Sequence, residues 1–178
     1  MMKPSRPAPH PLNGFSLVEL VVTIVLLAIL AAFVLPRFAD LRSQSRQSTI
    51  DAIEGSMRST ITIVKSKARA SGLSPSDSNP SGSNGSDQSG YLVKTEAGES
   101  EVDWRNLCPE SRAELADTLT MLDHISVDPN AANLKTAVGN QFTRVGFNLS
   151  SQPAQACYVE YDSFGEPDCT VTTVTTGC

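Results

Sequence analysis

The feature that most constrains this chain is an apolar run from Leu20 to Leu35, entered through Gly14-Phe15-Ser16-Leu17-Val18-Glu19. As a helix, residues 15–35 would rise roughly 31 Å at ~1.5 Å per residue, which matches a bilayer hydrocarbon core of about 30 Å. A membrane span is therefore predicted. Glu19 breaks the chemistry of the run, because a carboxylate costs on the order of 2.5–3.5 kcal/mol at the centre of a membrane helix and less near its end. An acid retained there implies a use. Ahead of it, residues Met1 to Asn13 carry Lys3 and Arg6, no acid and several prolines. They read as a short basic leader held on the cytoplasmic side. An ordinary secretory signal places its cut after the apolar core. The candidate cut here, between Gly14 and Phe15, precedes it and would leave the hydrophobic segment on the mature chain.

The stretch Gly14-Phe15-Ser16-Leu17-Val18-Glu19-Leu20, followed by a long apolar helix interrupted at Pro36, resembles the class III signal peptide of type IV pilins and of type II secretion pseudopilins. The resemblance implies that a prepilin peptidase cuts after Gly14 and methylates the new N-terminal residue, Phe15. It also implies that Glu19 serves in assembly as the subunit leaves the inner membrane for a helical filament. The physical chemistry is consistent: an α-amine at Phe15 buried among apolar helices is tolerable only when paired, and the Glu19 carboxylate of a neighbouring subunit supplies the partner. Glu19 also falls in the first helical turn, where the helix dipole favours an anion. An uncleaved signal anchor, with Gly14 and Glu19 incidental, is the alternative.

Beyond the span, Ile50, Ile53, Met57, Ile61, Val64 and Ala68 recur every three or four residues, while Arg42, Arg46, Asp51, Glu54, Arg58 and Lys65 occupy other faces. This predicts an amphipathic continuation of the helix, with a Glu54–Arg58 pair and a left-handed C-cap at Gly72. One helix from Phe15 to about Ser71 would be roughly 85 Å long, with Pro36 as a kink and Gly55 as a second weak point. Residues 72–90 are almost entirely Ser, Gly, Asn, Asp and Pro, and predict an exposed loop. Asp77, Asn79, Ser81 and Gly82 imitate the opening of a calcium loop, but Pro80 interrupts it and Gln88 stands where a glutamate is needed. Asn84-Gly85-Ser86 and Asn148-Leu149-Ser150 match glycosylation sequons and are read as chance.

The remainder, 91–178, predicts a globular head. Tyr91-Leu92-Val93 is a strand candidate that Val102-Asp103-Trp104 extends, and Pro109 opens an expected helix with Leu115, Leu119 and Leu122 on one face. Val145, Phe147 and Leu149 alternate, as do Cys157, Val159 and Tyr161, and Thr170 to Thr176 is β-branched. Phe164-Gly165-Glu166-Pro167 predicts the turn between the last two strands. The fold class is thus α+β: a long N-terminal helix packed on a small antiparallel sheet, the αβ-roll layout of the family it resembles. The expected division is a cleaved leader 1–14, a transmembrane and filament-core helix 15–35, its amphipathic continuation 36–71, the loop 72–90 and the head 91–178.

Four cysteines follow the span, and an exported chain enters an oxidising compartment, so two disulfides are expected. With the last turn centred on Gly165 and Glu166, Cys157 would share a face with Val174 and Thr176, and hence with Cys178, while Cys169 would share the side of Asp162. That favours Cys157–Cys178 and Cys108–Cys169, with two free buried thiols at 108 and 169 as the alternative. The first bridge resembles the C-terminal disulfide loop of type IV pilins, and Ala156 to Tyr161 with the closing Thr175-Thr176-Gly177-Cys178 most resembles the mannose-sensitive haemagglutinin branch.

Net charge is −5, and removing Lys3 and Arg6 with the leader leaves 12 basic against 19 acidic residues. No basic face favours nucleic acid. The two histidines are His10, in the leader, and His124, which beside Asp123 reads as a surface feature; without a positioned base, no catalytic constellation, metal cluster or cofactor site is expected. The resemblance implies identical or related pilin subunits, the prepilin peptidase and the inner-membrane assembly machinery as partners. It further implies an inner-membrane precursor, then an extracellular filament of a Gram-negative bacterium that attaches to a surface or host receptor. A type II secretion pseudopilin, or an anchored extracytoplasmic binding domain that never polymerises, stands as the alternative.

Overall fold

A computed structural model of the chain describes residues 14–79, 90–115, 117–125, 127 and 133–178. Leader residues 1–13, the Asn84 sequon and positions Pro80, Ser81, Gly82 and Gln88 lie outside them. The chain divides into two compact units, one ending at Leu41 and the other running from Arg42 to Cys178. Its elements are α1 Leu17–Ala70, β1 Leu92–Thr95, β2 Gly98–Glu101, α2 Met121–His124, β3 Lys135–Val138, β4 Phe142–Asn148, β5 Cys157–Asp162 and β6 Thr170–Val174, with a 3₁₀ turn at Pro153–Gln155 before β5. The layout is α+β, a long helix followed by small antiparallel sheets.

In the first unit, α1 presents Leu17–Val34 as the one helical stretch among the described residues apolar and long enough to cross a membrane, and none of it is buried. The helix continues through Pro36 and Gly55 without interruption. In the second unit its apolar stripe is covered: Ile50, Ile53, Met57, Val64 and Ala68 are buried, at 8 % exposure or less. Ile50, Ile53 and Met57 share a core with Val145, Cys157, Val159, Tyr161 and Val171. Each such side chain contributes about 1.5–3 kcal/mol when fully buried. The helix ends as its sequence predicts. Gly72 takes φ 85°, and the Leu73 N–H reaches back to the Ala68 carbonyl at 3.0 Å, closing the last turn. Arg58 joins Glu54 at 2.7 Å and also donates to the Val171 carbonyl at 2.9 Å, so the pair ties α1 to β6.

The larger sheet has the order β3-β4-β5-β6, all antiparallel, and β1 and β2 form a separate hairpin. In β5, Cys157, Val159 and Tyr161 face the core while Tyr158, Glu160 and Asp162 are half-exposed. The alternation expected across Val145, Phe147 and Leu149 is interrupted, because the β4–β5 register shifts between Gly146 and Asn148. A side chain at Gly146 would lie 2.2 Å from the Cys157 carbonyl oxygen, so only glycine fits beneath that irregularity.

One expectation is corrected and two are qualified. No helix begins at Pro109; among the described residues of that region, Met121–His124 is the helical stretch. The backbone donors there are claimed sideways: the Glu101 carboxylate accepts from the N–H groups of Glu114 and Leu115 at 3.0 and 3.2 Å. Leu119 donates to the Glu99 carbonyl at 2.7 Å. Val102-Asp103-Trp104 extends the first hairpin by one residue: Val102 donates its N–H to the Tyr91 carbonyl at 3.0 Å, and beyond it the partner changes, with Val102 also bridging Pro109. Lys65, placed off the apolar stripe, is nevertheless only 9 % exposed and is ion-paired with Asp168.

Candidate processing and assembly site

The site is built from the first turn of α1 outward. Gly14, Phe15 and Ser16 precede the helix and are exposed, and Leu17 begins it. Ser16 starts the helix: its Oγ accepts the Glu19 N–H at 3.2 Å, satisfying one of the donors that every helix N-terminus leaves open. This role escaped the sequence reading, although Ser16 three residues before Glu19 is the spacing of a capping box. A cap at Ser16 leaves the Gly14–Phe15 peptide in non-helical backbone, and space around Gly14 is open to 4 Å. Phe15, Leu17 and Val18 are 77 %, 78 % and 70 % exposed. Glu19 lies in the first turn, and among the described residues its carboxylate meets no hydrogen-bond or ion-pair partner. An uncovered apolar surface of this length is one that lipid or other apolar helices would cover.

At the other end of the chain, the structure joins Cys157 to Cys178 and Cys108 to Cys169, and no cysteine is free. The parity behind the expected pairing does not hold. Tyr158 pairs with Val174 and Asp162 with Thr170, which centres the turn on Glu166 and places Cys157 on the face of Val171 and Thr173. Cys178 reaches Cys157 because β6 has ended at Val174 and the chain turns back, with the Gly177 N–H on the Ala156 carbonyl at 2.9 Å and the Cys178 N–H on the Thr175 carbonyl at 3.1 Å. Arg46 of α1 caps this corner, its guanidinium 5.3 Å from the Phe147 ring centre and 3.4 Å from the Cys178 carbonyl oxygen.

Elsewhere the head offers little chemistry. His124 is half-buried, not a surface residue as expected, with Nε2 3.0 Å from the Ser100 hydroxyl. Burial pushes its imidazole below the ordinary range, partly offset by Asp123. Ser100 is fully buried and donates to the Leu119 carbonyl, so its hydroxyl is closed to a substrate. Cys108, Asp168 and Cys169 converge, but the two sulfurs are bonded to each other and cannot act as thiolate ligands. The acids Glu101, Asp103 and Glu110, unremarked in the sequence, are buried together; no local pattern announces them.

Comparison with known proteins places the chain's start. Residues 13–35 match the Prokaryotic N-terminal methylation motif. Over 57 residues the chain is 40 % identical to the Type IV narrow pilus major component PilA5 of Thermus thermophilus, covering 32 % of this chain and 49 % of that protein. The chain thus spans about half the length of that relative. No solved structure matches. Gly14, Phe15 and Glu19 fall within the matched motif, and the chain carries the type IV pilin signal and has a homologue among type IV pilins.

Proposed function

We propose that this protein is a structural subunit of a type IV pilus, made as an inner-membrane precursor and assembled into a helical filament used for surface attachment. The observation that carries the reading is the coincidence of the methylation motif at residues 13–35 with a helix whose apolar stretch, Leu17–Val34, is wholly uncovered. In this reading the leader 1–14 is removed after Gly14, Phe15 is N-methylated, and Glu19 neutralises the Phe15 amine of the adjoining subunit. Pro36 provides the kink where the filament-core segment 15–35 passes into 36–71, the loop 72–90 is exposed, and the head 91–178 faces outward. Its partners are then copies of itself or related pilins, the prepilin peptidase and the assembly machinery. The role is structural, not enzymatic, and the cell is Gram-negative. The narrower likeness to the mannose-sensitive haemagglutinin branch rests on Ala156 to Tyr161 and the closing Thr175 to Cys178.

N-terminal sequencing and mass analysis of the protein from sheared surface filaments test this. A chain beginning at methylated Phe15 is the expected result, and Gly14→Val should abolish it. A mature chain beginning at Met1 or Met2 would overturn the reading. Recovery only from membranes would favour the anchored, non-polymerising alternative, and recovery only from periplasmic assemblies the pseudopilin.

A further inference from the structure

Between β2 and α2 the chain folds back on itself in a short ladder. Val102 bridges Pro109 in antiparallel fashion, Glu110 donates its N–H to the Glu101 carbonyl at 3.0 Å, and Asp103 donates to the Cys108 carbonyl at 2.8 Å. Directly opposed residues share a face of such a ladder, as do residues two apart. Glu101, Asp103, Cys108 and Glu110 therefore lie on one face. All are 2 % exposed or less. Three acids on one buried face cannot all be ionised without compensation, and the compensation is unequal.

Glu101 is the best supplied, with Oε2 accepting from Glu114, Leu115 and Thr118. Its Oε1 is nevertheless buried with no partner. Asp103 accepts from the Arg105 backbone N–H at 2.7 Å and from the Arg105 guanidinium at 2.6 Å. Glu110 shares this buried face with Asp103, and two carboxyls buried on one face are compatible when one of them keeps a proton. From other elements the charged and titratable groups acting on this site are Glu114, the phenol of Tyr161, and Asp162 and Asp168 beyond it. Arg105 is engaged with Asp103, and Lys65 is ion-paired with Asp168. Burial first, then the charges of Asp103, Glu101 and Glu114, push the Glu110 carboxyl up to about 9.

We propose that this ladder is a proton-held latch: a proton shared by the Asp103 and Glu110 carboxyls keeps residues 101–110 closed, and its loss lets residues 103–109 open locally. The latched segment holds several contacts at once. Arg105 stacks between Trp104 and Phe164, 4.3 and 4.4 Å from their ring centres. The Asn106 amide donates to the carbonyls of Ser163 and Gly165 at 2.8 and 2.9 Å. Opening releases these contacts and exposes the Trp104–Phe164 surface, while the Cys108–Cys169 bridge keeps the segment tethered and the opening local.

The sign follows from linkage. The closed state holds its proton to about pH 9, whereas an opened, solvated glutamate releases it in the ordinary carboxylate range, so opening releases a proton. The opening constant should rise up to tenfold per pH unit, about 100-fold from pH 6 to pH 8, and level off above about 9. Amide hydrogen exchange on the full chain in detergent micelles, corrected for intrinsic exchange, tests this at the N–H groups of Asp103, Leu107 and Glu110. Protection there should fall by that factor while Val145 and Val159 hold theirs. Glu110→Gln keeps the shape and cannot ionise, so its protection should be flat with pH; Asp103→Asn serves the same purpose should the Gln variant fail to fold. Flat protection in the unmodified chain would overturn the latch. So would an unchanged slope in the variants, or an equal loss throughout β4 and β5.

Discussion

Removing the two disulfides separately should cost unequal amounts of stability, and their loop lengths set the order. Cys108 and Cys169 are 61 residues apart and Cys157 and Cys178 are 21 apart. On chain entropy alone, loss of the longer bridge costs about 4 kcal/mol and loss of the shorter about 3 kcal/mol, a difference of about 1 kcal/mol. Packing does not reverse this order, because each bridge has one fully buried sulfur, at Cys108 and at Cys157. The double variants Cys108→Ala with Cys169→Ala and Cys157→Ala with Cys178→Ala leave similar small cavities and no new buried hydroxyl. Urea unfolding of the full chain in micelles, followed by fluorescence of Trp104, the only tryptophan, reads both. The 108–169 variant should have the lower unfolding free energy, and both should show a steeper denaturant dependence because the unfolded chain expands. Equal losses, or a larger loss from the 157–178 variant, would refute the loop-entropy argument and place the stabilisation in native contacts at the C-terminal corner.

Other perturbations test the packing and the assembly segment. Gly146→Ala puts a methyl 2.2 Å from one backbone atom of β5 and 2.4 Å from another; it should destabilise the head by about 3 kcal/mol, the upper part of the overpacking range, and an unchanged urea midpoint would show that β5 can yield. Met57 is fully buried, so Met57→Ala should cost about 2–5 kcal/mol and Met57→Leu less than about 1.5 kcal/mol, again by urea midpoint. Glu19→Val and Glu19→Gln both remove the anion from an apolar surface without touching the head, so subunits should accumulate in membranes while sheared filaments decline. Normal filament yield from both variants would remove Glu19 from the assembly reading.

What could be read along the chain was whatever depends on neighbours a few residues away. The apolar run, the three- and four-residue recurrence of Ile50 to Ala68, the alternation in β5 and the Gly72 stop are local patterns, because helix and strand periods alone decide which residues share a face. The motif around Gly14, Phe15 and Glu19 is legible for the same reason, and the Ser16 cap could have been read from its spacing to Glu19. The rest depended on groups brought together from far along the chain. Leu115, Leu119 and Leu122 have helical spacing, yet Glu101 captured the backbone donors their segment would have needed. Lys65 lies off the apolar stripe, and its burial against Asp168 came from the tertiary fold. A one-residue difference in the final turn inverted the parity of every β6 side chain, and the 157–178 bridge depends on the chain turning back after Val174. The burial of Glu101, Asp103 and Glu110 was likewise decided by tertiary structure, since whether an acid faces water is fixed by what the completed fold lays over it.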